Sequence, residues 1–360
     1  MTGVYYPPSE SAGGWRRAAT EAQILEMAGM IPDRLRWLAE SQLALYAGPW
    51  AIVIIRNGYV AGEWFGVPTM PATTFDVWSC TKSATGIAYG LLLEDSRTGR
   101  LRESARIDLD SPVYALLPEG EPLSDPRKAT ILLRHLLTMT SGIPGEDHGL
   151  IGLAVGPGSG EYELALGKVA NRFGYSASTL LAEPGTHWEY SDAGFAHLSL
   201  LFAHDSGREI ADVMQERVFA PIGIENWGWD RQGGAGHIGP HTNAHSGLRL
   251  SARDFGRLGY LCLHHGRWNG EAIVPRWWLD MATKPSQALN PSYGYTFWNN
   301  ADGRLWPGAP RDAFALMGFA SNRCYVVPSL DLVVVRVGYG PAGWPEGSLL
   351  PSVVSAISNQ

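Results

Sequence analysis

The chain has 360 residues, 45% of them apolar, and a formal net charge of −7. That length is enough for a large core and predicts two subdomains, with the composition of a globular protein rather than a disordered one. Lys and Arg are scattered and form no basic stripe, so nucleic acid is not an expected partner, and no apolar run is long enough to span a membrane. Three cysteines (80, 262 and 324) lie far apart with no metal-ligand spacing, so neither a disulfide framework nor a structural zinc site is indicated and no cofactor motif is visible. The first residues, Met-Thr-Gly-Val-Tyr-Tyr-Pro-Pro, lack a basic n-region and an apolar h-region, which makes a cytoplasmic protein the expectation.

Residues 1–20 are rich in Gly, Pro and Ser and read as a surface arm. Residues 32–46 read as a helix with Leu35, Trp37 and Leu38 towards the core. Ala51 to Ile55, Asn57-Gly58, and Tyr59 to Phe65 read as a hairpin, since Asn-Gly is the preferred two-residue turn where both positions need positive φ. Ala84, Ile87, Ala88, Leu91 and Leu92 recur at helical spacing, and Glu94-Asp95 with Gly99 ends that helix. A polar stretch runs from 100 to 128, Thr130 opens a helix that stops at Ser141-Gly142, and the Gly-rich residues 145–160 read as a loop over a pocket.

Short helices are expected over 160–170 and 176–181, and longer ones over 193–206 and 209–219. The second long helix carries a stripe of Ile210, Val213, Met214 and Val218. Residues 231–247 form a loop dense in Gly and His, and Ser251 caps a helix over 252–264. Runs at 323–327 and 332–337, joined by Pro328-Ser-Leu-Asp331, form a second hairpin, and 349–357 is helical. Strands at both ends and helices in the middle predict an α/β fold, an antiparallel sheet built from both chain ends and flanked by helices. On this reading 1–75 and 236–360 form the sheet domain, 76–235 a mainly helical one, and the active site lies at their junction.

The chemistry concentrates at Ser79-Cys80-Thr81-Lys82, at the start of the helix with the Ala84 stripe. Residues three apart on a helix share a face, so Ser79 and Lys82 point into one space. The first helical turn also offers unpaired N–H groups and a positive dipole end, which suit a developing oxyanion. A serine hydroxyl needs a base, and no Gly-x-Ser-x-Gly elbow occurs, so the base is expected to be Lys82 with its amine largely neutral through burial and a neighbouring cation. Cys80 faces away from Ser79 as buried filler. His241, Asn243 and His245 cluster in a Gly-rich loop without an acidic third ligand, so no metal is expected there. Trp78, Trp188, Trp298 and Trp306 are candidates for the wall of an apolar acyl pocket.

Four ordered motifs carry a resemblance: Ser79-Cys-Thr-Lys82, Arg134-His-Leu-Leu-Thr-Met-Thr-Ser-Gly142, Pro184-Gly-Thr-His-Trp-Glu-Tyr190-Ser and Gly247-Leu-Arg-Leu-Ser-Ala-Arg-Asp254. Together, from about Trp50 to about Gly338, the chain resembles the serine β-lactamase and penicillin-binding superfamily, in the branch of class C β-lactamases, family VIII carboxylesterases and 6-aminohexanoate-dimer hydrolases. The resemblance implies Ser79 as nucleophile, Lys82 as its partner and Tyr190 as the group that passes the proton to the leaving group. It implies an oxyanion hole from the backbone N–H groups of Ser79 and Phe319.

Two positions depart from the family pattern. Asp192 stands where the family's Tyr-x-Asn motif has Asn; an ionised carboxylate donates no hydrogen bond, so it is expected to pair with Lys82 instead of holding a substrate amide. Leu316-Met317-Gly318 is the best match to the family's Lys-Thr-Gly strand and leaves no cation for a β-lactam carboxylate. His245-Ser246-Gly247 imitates that strand motif but lies before a helix and is read as a decoy. The expected substrate contacts are thus Asp192, Leu316, Gly318, Trp78 and Trp188. The resemblance then implies a serine hydrolase acting on small esters through an acyl-enzyme. Its alternatives are an amidase or nylon-oligomer-type hydrolase, a β-lactamase, an acyltransferase, or a penicillin-binding-like module without turnover.

Overall fold

A computed structural model describes residues 4–45, 48–101, 106–150, 160–233, 238–339 and 347–358. The N-terminal arm leads into α1 (Glu21–Glu26), opened by a capping box between Thr20 and Gln23, and α2 (Pro32–Leu45). Leu35 and Leu38 of α2 are buried, but Trp37 is 64% exposed, contrary to expectation. It lies two positions from Leu35, on the opposite side of the helical wheel from the 35/38/39 stripe. β1 (Trp50–Arg56) and β2 (Tyr59–Phe65) form the expected hairpin, with Asn57 at φ 52° and Gly58 at φ 73°. β3 (Thr74–Asp76) and α3 (Cys80–Arg97) follow, and α3 is buried without a break from Cys80 to Leu93.

α4 (Leu133–Leu137) is a shortened form of the helix expected from Thr130. Ile131 stays extended because its carbonyl accepts the Val113 N–H, and Leu132 bridges to Pro112. α5 (Glu161–Ala165) is brief, and 176–181 forms turns instead of a helix. There the Asp125 carboxylate accepts the Leu180 N–H and the Lys128 ammonium donates to the Ala177 carbonyl, so side chains satisfy the backbone groups a helix would have paired. α6 (Asp192–Ser206) starts at N-cap Ser191 and ends at Gly207, and α7 (Ile210–Met214) runs on into a π turn over Gln215–Phe219.

β4 (Trp227–Trp229), β5 (Arg231–Gln232), β6 (His241–Thr242) and β7 (Leu248–Ser251) come next. The expected loop 231–247 therefore contains a small β5–β6 ladder. Ser251 caps α8 (Ala252–Leu263) as read, accepting the Asp254 N–H. The chain closes with β8 (Arg267–Trp268), β9 (Glu271–Ala272), α9 (Arg276–Ala282), β10 (Trp298–Asn299), β11 (Phe314–Gly318), β12 (Asn322–Val327), β13 (Leu332–Gly338) and α10 (Leu349–Ser355).

The main sheet has the order β10-β11-β12-β13-β1-β2, antiparallel throughout, so strands from both chain ends meet at the β13–β1 pair as expected. Alternation along β1 sends Ala51, Val53 and Ile55 into one core with α3 and α8, and Trp50, Ile52 and Ile54 into another with α2 and α10. A three-stranded sheet, β3-β7-β4, braces the approach to α3. The expected domain boundary at 235/236 and most of the loop 145–160 (residues 151–159) lie outside the described residues. No helix among the described residues is long and apolar enough to cross a membrane.

The capping bond at the head of α8 gives a direct test of this packing, because α8 lies on the sheet through a buried face. Ser251→Ala is expected to lower unfolding stability by about 1–2 kcal/mol in urea titration, since it strips a cap from a helix start that is fully buried.

Candidate active site

The geometry of the site starts with the turn into α3. Trp78 is held at φ 52°, a conformation that costs an L-residue of this size about 1–3 kcal/mol and persists only where its surroundings fix it. They do so on both sides: the Trp78 N–H donates to Asp76 Oδ1 at 2.8 Å and the Val77 N–H to the Leu248 carbonyl of β7 at 2.9 Å. Ser79 occupies the N-cap position, yet its hydroxyl caps nothing. Instead its Oγ accepts a hydrogen bond from Lys82 Nζ at 3.0 Å.

Gly318, at the end of β11, lies against this turn. A Cβ on it would meet the Val77 carbonyl oxygen at 2.2 Å and the Cys80 nitrogen at 3.0 Å, so only glycine lets the strand end come alongside Ser79. Phe319 follows with its ring 71% exposed and edge-on to Trp78 at 5.6 Å. Leu316 is fully buried in the core and presents no surface to a ligand, which corrects its reading as a substrate contact. β alternation turns it into the packing against α3.

Lys82 Nζ has three short contacts: Ser79 Oγ, the His245 carbonyl at 3.0 Å and Asp192 Oδ1 at 2.6 Å. Two of these are hydrogen bonds and the third is an ion pair. Burial pushes the Lys82 pKa down, but the Asp192 charge outweighs it and holds the amine well above its ordinary value. The expectation of a neutral Lys82 is therefore corrected: among the described residues no cation flanks it, and a carboxylate does. Burial likewise pushes Asp192 up and Lys82 outweighs it, so the pair is ionised. Asp192 is the first residue of α6, where the helix dipole further favours its negative charge. At 6% exposure and committed to Lys82, it is not open to a substrate amide.

Tyr190 stands beside both groups: Lys82 Nζ lies 4.8 Å from its ring centroid, and Ser79 and Lys82 both act on its phenol. Burial pushes the phenol above its ordinary pKa while the Lys82 charge pulls the other way, so it is a neutral phenol at neutral pH. Trp298 stacks on Tyr190 at 6.3 Å and 21°, and Trp188 and Tyr293 close the aromatic wall around it. Trp306 is not part of this wall; it packs on Tyr325 in the core on the far side of the sheet.

Two residues of the site escaped the sequence reading. His245, read as a decoy, supplies the carbonyl to Lys82 and sets its ring Nδ1 3.6 Å from Asp192 Oδ2. Burial pushes this imidazole down to about 4, so it is neutral. Glu146 lies in the field of Asp192, and burial together with the Asp192 charge pushes it up to about 7. The other two members of the expected histidine cluster lie elsewhere: His241 Nδ1 pairs with Glu209 at 2.9 Å, and Asn243 Oδ1 accepts the His245 and Ser246 N–H groups. Cys80 is buried, with its Sγ donating to the Asn322 carbonyl.

Residues 44–339 match the model of the family described as Beta-lactamase. A curated relative, an uncharacterized protein of Alkalihalophilus pseudofirmus, is 23% identical over 85% of this chain and 88% of its own. Three further curated relatives match about half of this chain but only 29% to 40% of their own length. A solved structure from Bacillus anthracis, provisionally named a 6-aminohexanoate-dimer hydrolase, superposes with TM-score 0.68 at 19% identity, over 98% of this chain and 88% of that one. Another, titled EstCE1, a hydrolase with promiscuous acyltransferase activity, gives TM-score 0.66 at 17% identity over 91% and 98%. At these identities the likeness is one of fold.

The ion pair makes a stability prediction. Lys82→Met leaves Asp192 buried without its cation and is expected to cost about 3–5 kcal/mol at pH 8. With the cation gone, the Asp192 pKa rises above its unfolded value, so the native state keeps its stability at low pH and loses it as pH rises. The deficit measured by urea unfolding is thus expected to be smaller at pH 5 than at pH 8, and Lys82→Met/Asp192→Leu is expected to recover much of it.

Proposed function

The chain belongs to the Beta-lactamase family, and from that premise we propose that it is a serine hydrolase that cleaves small esters, and amides more slowly, through an acyl-enzyme on Ser79. The observation that carries this reading is the hydroxyl of Ser79, free of any capping role and bonded to Lys82 Nζ at 3.0 Å, with the Tyr190 ring centroid 4.8 Å from the same Nζ. A serine, an ammonium and a phenol gathered at one place have the groups a proton relay needs.

As the Ser79 oxygen bonds to the acyl carbon, its proton passes to the Tyr190 oxygen, and the phenol's own proton goes to the departing oxygen or nitrogen as that bond breaks. No free phenolate accumulates, which suits a phenol raised by burial. The Lys82 ammonium lowers the cost of negative charge on either oxygen during the exchange. Water then attacks the acyl carbon, its proton returns by the same route to Ser79, and the acid leaves. The backbone N–H groups of Ser79 and Phe319 are assigned to the oxyanion, at the place where Gly318 brings strand and helix turn together.

Against a β-lactam preference stands the buried, uncharged Leu316 in the strand beside the nucleophile. One solved neighbour is titled a 6-aminohexanoate-dimer hydrolase and another a hydrolase with promiscuous acyltransferase activity, and the second title supports transfer to an alcohol as a second outcome of the same acyl-enzyme.

Ser79→Ala is expected to reduce p-nitrophenyl butyrate turnover on the order of 10³-fold or more, with loss of the butyryl adduct seen by intact-protein mass measurement in the wild type. Tyr190→Phe is expected to cost about 10²–10⁴-fold on an alkyl ester, and less on the nitrophenyl ester, whose leaving group needs no proton. Full activity in Ser79→Ala overturns the assignment.

A further inference from the structure

A second cavity, of about 310 Å³, opens between the end of α8, α9 and the strands β10 and β11. That volume is at the lower end of small-ligand sites. Cys262, Leu279 and Phe314, all buried, give it an apolar lining. Among the described residues, the lining includes neither Ser79, Lys82 nor Tyr190. Asn299, which does line it, directly follows Trp298 in β10, and alternation along a strand turns successive side chains to opposite faces. The cavity and the active site therefore share a strand but no side chain.

Part of the polar wall is already satisfied. Asp280 holds His265 Nδ1 at 2.7 Å and Arg276 Nε at 3.0 Å, and Asp312 accepts the Ser329 N–H at 2.6 Å and its hydroxyl at 2.9 Å. Lys284, Arg311 and Asn299 are not. The Lys284 ammonium has no hydrogen-bond or ion-pair partner among the described residues. Arg311 donates to the Ala301 carbonyl at 3.1 Å and pairs with no carboxylate among the described residues. Asn299 is 2% exposed, and its Oδ1 accepts the Ala301 N–H at 3.1 Å, but its Nδ2 has no partner among the described residues. A buried amide N–H without an acceptor is costly, and native proteins rarely leave one so. Every one of these unmet groups is a donor and two are cations. With Arg276, Lys284 and Arg311 set against Asp280 and Asp312, positive charge is in excess. What the cavity lacks is an anion with acceptor oxygens.

We propose that this cavity is a second ligand site, distinct from the Ser79 centre, and that it takes a small carboxylate with a short apolar chain. Lys284 and Arg311, exposed at the rim, attract the anion. Asn299 supplies a neutral donor from the buried wall, and the chain covers Cys262, Leu279 and Phe314. A neutral alcohol of the same length gains only the apolar contact, and an ammonium of that length meets charge of its own sign. Binding here does not depend on the chemistry at Ser79, so either reading can fail without the other.

Hexanoate is the probe, titrated by calorimetry into the full chain, with hexan-1-ol and n-hexylammonium as controls. Hexanoate is expected to bind wild type with a Kd on the order of 1 mM or tighter, more weakly as salt is raised, and both controls at least about tenfold more weakly. Lys284→Glu, at an exposed position, is expected to weaken hexanoate by about tenfold. Asn299→Asp keeps the side-chain shape and the oxygen that accepts the Ala301 N–H, replaces the donor with negative charge, and is expected to weaken hexanoate by a similar factor, about tenfold. In wild type the Asn299 side-chain amide signal is expected to move during the titration in a proton–nitrogen correlation spectrum, which reads the site without any substitution. No binding of hexanoate to wild type, or hexan-1-ol binding as tightly as hexanoate, overturns the proposal. Hexanoate affinity kept in both variants places the anion elsewhere and overturns it as well.

Discussion

A single buried ion pair, Lys82 with Asp192 at 2.6 Å, is the constraint around which the rest of the molecule is arranged. Two charges this deeply buried cost several kcal/mol each to desolvate, and the cost is offset only by close geometry and by further hydrogen bonds to each partner. The fold supplies these from three distant parts of the chain. The first turn of α3 carries Lys82, the start of α6 carries Asp192 with a favourable dipole, and the segment before β7 turns the His245 carbonyl onto the ammonium. Holding these parts together is what the antiparallel sheet on one side and the helical packing on the other accomplish.

The same pair sets the protonation of the site. With Lys82 charged, it cannot accept the Ser79 proton from its resting state; it acts as a donor that steadies oxygen charge. Proton movement then falls to Tyr190, whose ring centroid lies 4.8 Å from Lys82 Nζ. Two strained or crowded features keep Ser79 in place for this exchange. The left-handed Trp78 aims the hydroxyl away from its own helix, and the side-chain-free Gly318 lets β11 close on the turn. The Trp78 conformation is fixed by the β7 and Asp76 contacts.

What the sequence made legible is what is local. The Ser79/Lys82 spacing, the Asn57-Gly58 hairpin and the Ser251 cap each lie within a few residues and obey helical or turn geometry, and strands gathered at both ends announced the sheet. The pairing of Asp192 with Lys82 was also readable, since an ionised carboxylate could not do an amide's work. The protonation of Lys82 was not, because it is decided by the balance between burial and the Asp192 charge, which only the packed geometry sets. Glu146 gave no signal in a Gly-rich loop without periodicity. His245 acts through its carbonyl, an atom every residue possesses, so its side chain suggested a motif that the structure does not use. Over 176–181, Asp125 and Lys128 outcompeted the helix, a tertiary effect that local propensity does not contain.

The aromatic wall ties the two halves of the site's electrostatics together. Trp298, Trp188 and Tyr293 exclude water from the Tyr190 ring without offering it a charge, which raises the phenol's pKa and keeps its proton available for a leaving group. On the other side of the same tyrosine, its backbone carbonyl accepts the Glu146 N–H. A substitution that opens the aromatic wall would admit water to the phenol and lower the cost of ionising it. The packing of apolar rings, rather than any further titratable group, is what lets one phenol serve as a relay beside an ammonium that never gives up its proton.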